Sequence, residues 1–119
     1  MAETTQLELV TPSAVMKSQA VEMVVIPGSE GLFGVLPRHA PLLAGLARGI
    51  VEIHNGGSVT DRIMIDGGLA DVSDTGVTIL AERAVDLSKV SSQELEERAL
   101  SAPQAEAEFL NAAVKELSA

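Results

Sequence analysis

Cysteine, tryptophan and tyrosine are absent from the chain, and its two aromatic side chains are Phe33 and Phe109. Without cysteine there is no disulfide, no thiolate metal site and no cysteine nucleophile, and a reducing cytosol fits this composition. With so few aromatic rings, aliphatic side chains must supply the core. A chain of 119 residues buries about 60 to 70% of its unfolded surface. We therefore expect one modest domain with an appendage rather than two full domains.

Basic residues are scarce, because eight Lys and Arg face seventeen Asp and Glu, a net charge of −9. Nucleic-acid binding needs a basic face that displaces counterions from phosphates, so we expect no nucleic-acid partner. The acidity also argues against direct contact with anionic lipid. No apolar run approaches the roughly 20 residues of a membrane-spanning helix, and residues 1–5 carry no basic and hydrophobic signal. The sequence therefore predicts no direct membrane insertion and a membrane association that runs through a protein partner.

Residues that usually carry chemistry form no recognisable site. Two histidines, His39 and His54, are too few for a histidine metal cage, and His39, between two prolines, suits a structural or interface role. The glycine-rich segment 28–34 runs into Val35-Leu36-Pro37, which begins a helix poorly. We interpret its glycines as turn residues rather than as a phosphate loop. No Gly-x-Ser-x-Gly nucleophile motif is present. We predict no catalytic residue, no metal and no cofactor.

Composition changes sharply along the chain. All ten glycines lie at or before Gly76, and the sequence after Ser88 is rich in Glu, Ala and Leu. This change predicts two units: a β domain over residues 1–86 and a helical hairpin over residues 87–119.

Short strands with turn signals between them fill the first unit. Asn55-Gly56-Gly57 is a strong hairpin signal because these residues tolerate positive φ, and Gly67-Gly68 allows a sharp bend. Strands at roughly 8-to-12-residue spacing favour a sandwich or barrel over βαβ units, and we predict an antiparallel β-sandwich. The predicted strands are 7–11, 20–26, 50–54, 58–65, 69–72 and 77–80.

The second unit carries two helix-start signals. Ser91 with Glu94 is one capping box, and Ser101 with Gln104 is another, with Pro103 in the first turn. They predict helices of roughly 9 and 16 residues, about 14 and 24 Å long. Such short helices are marginal alone in water, so they must pack on each other or on the sandwich. The expected packing residues are Leu95, Ala99, Ala105, Phe109, Leu110, Ala113, Val114 and Leu117.

The run from Pro27 to Leu43, PGSEGLFGVLPRHAPLL, resembles the signature of the epsilon-subunit family of F-type ATP synthases, called delta in mitochondria. Further matches lie at residues 46–49, 67–72 and 77–84. The resemblance implies a β-sandwich of about ten strands followed by a helical hairpin, in agreement with the independent interpretation above.

Membership of that family would imply a non-catalytic rotor subunit beside the gamma subunit and against the c-ring. It would couple ring rotation to the catalytic head, as a peripheral protein on the cytoplasmic face of the bacterial plasma (inner) membrane. The residues at the family's c-ring positions are Glu30, Gly31, Leu32 and Phe33, of which Leu32 and Phe33 look exposed. The residues at its gamma-facing positions are Thr11, His39, Leu42 and Ala44.

The helical end departs from the family pattern. Some relatives bind ATP through a motif close to Ile/Leu-Asp-x-x-Arg-Ala, where this chain keeps Asp86 but has Lys89 and Val90. Lysine lacks the bidentate fork of arginine, so we predict weak or absent ATP binding at Asp86 and Lys89. The short helices predict reduced inhibition of ATP hydrolysis through the alpha and beta subunits. Two alternatives stay open: a regulatory nucleotide sensor in the same complex, and a free-standing β-sandwich enzyme or small-ligand binder.

Overall fold

The computed structural model describes residues 3–118, so residues 1, 2 and 119 of the two predicted units lie outside the described part. Within it, eight strands precede two helices. The strands are β1 (Thr5–Val10), β2 (Val15–Val21), β3 (Met23–Gly28), β4 (Gly31–Val35), β5 (Leu42–Asn55), β6 (Ser58–Val72), β7 (Gly76–Ala81) and β8 (Ala84–Asp86). The helices are α1 (Ser92–Ser101) and α2 (Gln104–Ser118). Neither helix has the length and apolar character needed to cross a membrane.

All eight strands belong to one sheet that folds over on itself. The strand order is β2-β1-β7-β6-β5-β3-β4, with β8 paired to β6. The first layer contains β2, β1, β7, residues 68–72 of β6 and residues 42–46 of β5. The second layer contains β8, residues 58–66 of β6, residues 48–55 of β5, β3 and β4. The β-sandwich is confirmed, and every pair is antiparallel except β1 with β7, which is parallel.

The strand count is eight rather than the expected ten because β5 and β6 run through both layers. Their 14 and 15 residues pass the corner where Gly67 and Gly68 hold φ values of 73° and 133°. A side chain at Gly68 would collide with the carbonyl oxygen of Leu80. The two strands predicted at 58–65 and 69–72 are therefore one bent strand.

The strand predicted at 20–26 is instead divided between β2 and β3 at Glu22. The Glu22 backbone N–H donates to the Asn55 side-chain oxygen at 3.0 Å, and the Glu22 carboxylate accepts from the Gly56 N–H at 2.9 Å. These bonds to the β5–β6 turn mark the point where the chain passes from one layer to the other. The segment 31–35, interpreted as turn glycines, contains a further strand, β4.

Alternation of buried and exposed residues places the aliphatic core between the layers. In β1, Leu7 and Leu9 are buried while Gln6 is exposed. The largest core side chains are Leu7, Leu9, Val21, Val24, Ile26, Ile53, Ile63, Ile65 and Ile79.

The two helices form a third layer on the outer face of the second sheet layer. Met64 lies between Ile63 and Ile65, which face the sandwich core, so its side chain points outward to the helices. The helix residues that pack there are Leu95, Phe109, Leu110 and Ala113, together with Val85 and Leu87 from the preceding segment. Leu95, Phe109, Leu110 and Ala113 are thereby confirmed as packing residues, and the partly buried Ala99, Val114 and Leu117 pack against them. The prediction is wrong for Ala105, which is exposed.

One of the two predicted helix caps is present. The Ser91 side chain accepts from the Glu94 N–H at 3.2 Å, as expected at the start of α1. The second box is wrong, because Ser101 is the last residue of α1 and its hydroxyl donates to the Arg98 carbonyl at 3.4 Å. The Pro103 carbonyl instead accepts the first bond of α2, from the Ala107 N–H at 2.8 Å.

The corner glycine provides a test of the bent-strand architecture. Gly68→Ala should lower the free energy of unfolding by about 3 kcal/mol or more, because a positive φ and a backbone collision add together. Gly57→Ala, at φ 79° with open space around it, should cost only about 1 kcal/mol. Urea unfolding of both variants gives the comparison. Equal losses would mean that the corner tolerates a side chain.

Candidate interaction surfaces

The turn between β3 and β4 carries the four residues predicted to face a ring of partner subunits. Gly31, with φ 130°, has open space around it, and Glu30 is exposed. Leu32 is 73% exposed, whereas Phe33 is half-buried against the sandwich core. Successive side chains of a strand point to opposite faces, so these two neighbours cannot contact one flat surface together. Leu32 is the exposed apolar residue of this turn, and Phe33 anchors the turn to the core.

This turn lies directly beside the start of β5. The Ser29 N–H donates to the Gly45 carbonyl at 2.9 Å. A groove of about 550 Å³ between them is lined by residues 28–33 and by Leu42, Leu43, Ala44 and Gly45. The structure therefore brings the predicted ring-facing residues together with two of the four predicted gamma-facing residues.

The other two predicted gamma-facing residues lie apart from this groove. His39 is half-buried in the β4–β5 loop, with Nδ1 2.6 Å from the Ala40 carbonyl oxygen. Thr11 follows β1, and its N–H donates to the Ala14 carbonyl at 2.9 Å. Thr11 lines a shallow apolar depression of about 340 Å³ with Val10 and Leu80.

An exposed apolar row crosses the outer face of the first layer. Val15 pairs with Val10, Val10 with Leu80, Leu80 with Leu69, and Leu69 with Gly45. Val15, Leu80 and Leu69 are 65, 48 and 38% exposed. Paired residues lie on the same face of a sheet, so these side chains form one band. We call Val15, Val10, Leu80 and Leu69 the outer apolar row.

Register also decides which residue at the start of β5 joins this face. Leu42 pairs with the buried Val72, so it points to the inner side. Leu43 pairs with the exposed Asp71, is 66% exposed, and lies beside the outer apolar row. Sequence reasoning named Leu42 and missed Leu43, Leu69 and Leu80. Alternation within 69–72 and 77–80 could have marked the last two, but their alignment depends on long-range register.

Asp86 belongs to a buried group of charges. The Lys17 ammonium lies 3.2 Å from one carboxylate oxygen of Asp61 and 3.2 Å from one of Asp86. The other Asp86 oxygen accepts from the Ser88 N–H at 2.9 Å. Lys17 and Asp86 are 9 and 7% exposed. Both carboxylate oxygens of Asp86 are therefore engaged inside the protein.

Lys89 contacts Asp86 through its backbone. Its backbone N–H donates to the Asp86 carbonyl at 3.1 Å, and the residue is exposed. The adjacent groove of about 370 Å³, between the sandwich and the helices, is lined by two arginines, Arg83 and Arg98, and by Glu82, Asp86 and Glu106. This mixture of charges neutralises a triphosphate poorly. Within residues 3–118 no group of three acidic or histidine side chains could hold a metal ion.

Comparison with known proteins gives consistent matches. Residues 4–87 match the family described as the beta-sandwich domain of the ATP synthase delta/epsilon chain. The ATP synthase epsilon chain of Rhodospirillum rubrum is 47% identical over 98 residues, covering 82% of this chain and 73% of that protein. The epsilon chain of Paramagnetospirillum magneticum is 40% identical over 105 residues, covering 88 and 79%.

Two solved structures share the fold. A chain of the Euglena gracilis mitochondrial ATP synthase, from a structure of OSCP, F1 and c-ring, has a TM-score of 0.66 at 29% identity and covers 97% of this chain and 79% of its own. A chain of the Tetrahymena thermophila mitochondrial ATP synthase, from its central stalk and c-ring, has a TM-score of 0.61 at 15% identity, covering 98 and 95%. The second likeness concerns the fold alone.

Lys17 gives a stability test with a defined pH dependence. Burial by itself would lower the pKa of the Lys17 ammonium, but hydrogen bonds to Asp61 and Asp86 outweigh it and raise the pKa above 10.5. Its stabilisation is therefore complete below pH 10.5 and lost as pH rises through the higher folded-state value. Lys17→Met should cost on the order of 3 kcal/mol at neutral pH, because it leaves the buried Asp86 and the partly buried Asp61 without their cation.

Denaturant unfolding between neutral pH and pH 11.5 measures this effect, and the difference between wild type and Lys17→Met should narrow at the alkaline end. The exposed Lys115→Met is the matched control and should change stability by less than about 0.5 kcal/mol. A constant difference across the range would contradict the assigned ion group.

Proposed function

The chain belongs to the delta/epsilon family of F-type ATP synthase subunits, and on that premise we propose that it is a central-stalk subunit that couples c-ring rotation to the gamma subunit and the catalytic head. It is a non-catalytic subunit of the complex. The sandwich would clamp gamma to the ring, so that rotation driven by protons reaches the head without slipping. Its place would be peripheral, on the cytoplasmic face of the bacterial inner membrane.

The outer apolar row is the observation that carries the gamma contact. The other outer face of the sandwich is covered by the chain's own helices, so the first layer offers the free sheet face. Contiguous exposed apolar side chains on a folded protein mark protein contacts. Thr11 lies at one end of the row and Leu43 beside the other. We propose that gamma packs on this face, with His39 and Leu42 at its margin and Ala44 behind it.

The β3–β4 turn supports a separate contact with the ring. Glu30 and Leu32 project from the turn, and Phe33 fixes its position by packing inward. Since the turn is tied to β5 at Ser29 and Gly45, force on the turn would pass directly into a strand that also borders the gamma-facing surface. A close-packed β interior transmits strain with little deformation, as torque coupling requires.

The short length and the docked position of the helical hairpin support our proposal that this chain inhibits ATP hydrolysis only weakly. Its helices of 10 and 15 residues measure about 15 and 22 Å at 1.5 Å per residue. Phe109, Leu110 and Leu95 are buried against the second layer, and burying one such side chain stabilises by about 1.5 to 3 kcal/mol. Extension towards the alpha and beta subunits would lose this contact. With Asp86 engaged by Lys17, ATP binding at Asp86 and Lys89 is also disfavoured.

Binding to the two partners can be separated by single substitutions. Leu69→Asp and Leu80→Asp should each weaken binding to purified gamma subunit by about 100-fold, because a carboxylate at the centre of an apolar contact must be desolvated. Leu32→Asp should retain gamma binding and lose association with the c-ring. Surface plasmon resonance on immobilised gamma, and co-purification with detergent-solubilised ring, measure the two affinities.

Val59→Asp is the matched control. Val59 is 42% exposed but lies at the β5–β6 hairpin, outside both proposed surfaces, so both affinities should stay unchanged. Equal damage from Val59→Asp and Leu69→Asp would contradict the assigned face. A folded wild-type chain that binds neither partner would overturn the proposed function.

Removal of the helices tests the regulatory part. In the assembled complex, deleting residues 88–119 should change the rate of ATP hydrolysis by less than about twofold, or ~0.4 kcal/mol in activation free energy. The reason is that helices docked on the second sheet layer would not extend to the catalytic head. Steady-state hydrolysis with an ATP-regenerating system gives the rates, and an activation above about tenfold would refute weak inhibition.

A further inference from the structure

A charged cluster sits at the corner where β5 and β6 pass between the layers. Arg48 Nε lies 2.9 Å from Asp66 Oδ1, and one terminal nitrogen of Arg83 lies 2.9 Å from Asp66 Oδ2. The Asp66 N–H also donates to the Arg83 carbonyl at 3.0 Å. The Asp66 side chain is 16% exposed. One carboxylate thus holds two arginines from two different segments in fixed positions.

This cluster contacts the helical layer at an aromatic ring. The Arg48 guanidinium carbon lies 5.8 Å from the centroid of the Phe109 ring. Phe109 is 1% exposed and is one of two aromatic side chains in the chain. A guanidinium over an aromatic face is attracted by the ring quadrupole, and its planar shape favours one geometry.

The contacts between Asp66 and the arginines favour the charged forms of Asp66 and Arg48. Burial alone would raise the pKa of Asp66, but hydrogen bonds from Arg48 and Arg83 outweigh it and hold the pKa below 3.8. The bond to Asp66 likewise raises the pKa of Arg48. Glu108, next to Phe109 on α2, adds a favourable charge towards Arg48.

Other contacts between α2 and the sheet lack this directionality. Leu110 and Ala113 pack on Met64 and Val85 as apolar surfaces, which tolerate small shifts of a helix along a sheet. Arg62 and Glu116 are 3.9 Å apart, a long single contact that contributes little. Arg48, whose side chain is 41% exposed, is instead held at 2.9 Å by Asp66. Of these contacts, the one between Arg48 and Phe109 has a preferred geometry.

We propose that Arg48, oriented by Asp66, holds α2 in a fixed position on the second sheet layer through its contact with Phe109. The helix pair is thereby kept as a docked third layer rather than a free arm. This inference deepens the proposed function, on which its meaning for regulation rests. The contact between Arg48 and Phe109 itself is a property of the isolated chain and needs no partner subunit.

The two phenylalanines allow a direct experiment. Labelling the full chain with 4-fluorophenylalanine gives one fluorine signal from Phe109 on α2 and one from Phe33 in the sandwich. Arg48→Met keeps most of the side-chain stem and removes the charge. We expect the Phe109 signal to move towards the solvent-exposed value while the Phe33 signal stays fixed. Amide hydrogen exchange within residues 105–114 should accelerate about fivefold or more, with β1 and β7 unchanged.

Arg62→Met is the matched control, because Arg62 lies on the same sheet face and reaches the same helix at Glu116. It should leave both fluorine signals and the exchange of residues 105–114 within about twofold of wild type. Asp66→Asn is the second variant for the case in which Arg48→Met fails to fold. It keeps the size of the side chain, releases Arg48, and should give the same selective acceleration on α2.

The inference is overturned if α2 exchanges at the wild-type rate in the folded variants, or if Arg62→Met accelerates it equally. Binding of Arg48→Met to gamma separates this result from the proposed function, since the outer apolar row lies on the opposite face. If Arg48→Met retains gamma binding and the amide exchange of α2 is unchanged, only the proposed role of Arg48 is refuted. Lost gamma binding in the wild-type chain would refute the stalk role alone.

Discussion

The passage of β5 and β6 through both layers is the constraint on which the remaining structure depends. Gly67 and Gly68 hold positive φ values at the corner, and Gly68 lies so close to Leu80 that no side chain fits between them. One continuous sheet can therefore close on itself and bury the aliphatic residues that a chain with two phenylalanines must rely on. The fold has two outer faces, and its own helices cover one of them. The uncovered face carries the outer apolar row, so the same corner that closes the core also leaves one side available to a partner.

Charged side chains reinforce this arrangement at two places and in two ways. Lys17 of the first layer reaches Asp61 and Asp86 of the second layer, and thus joins the two layers through β6 and β8. Arg48, Asp66 and Arg83 join the corner to the helical layer. A buried ion group such as that of Lys17 adds little net stability compared with apolar packing, but it penalises every arrangement in which one partner is missing. We infer that the Lys17 group contributes mainly to the correct alignment of the two layers.

Local sequence signals predicted turns and a helix cap well. Features that depend on pairing between distant strands could not be predicted from them. The Asn55-Gly56-Gly57 turn and the Ser91 cap both lie where the sequence places them, because each depends on a few adjacent residues. The break at Glu22, the bent β6 and the strand at 31–35 depend on partners elsewhere in the chain and were not predicted. The same limit applies to the surfaces. The motif from Pro27 to Leu43 indicated the family, whereas the alignment of Leu69 with Leu80 emerges only from strand register. Asp86 looked like a binding residue because its burial with Lys17, 69 positions earlier, has no local signature.

The parallel pairing of β1 with β7 has a consequence for biosynthesis. Gln6 pairs with Gly76 and Val10 with Leu80, so β1 is synthesised well before β7, and the first layer is complete only once β7 has emerged. Until then β1 has β2 as its ladder partner, and one edge with its apolar side chains stays open. Pairings of such long sequence separation close slowly and leave nascent chains prone to association. The order of synthesis therefore makes the emergence of residues 76–81 the step that ends this exposure, and a chain stalled before it would be a natural client for chaperones.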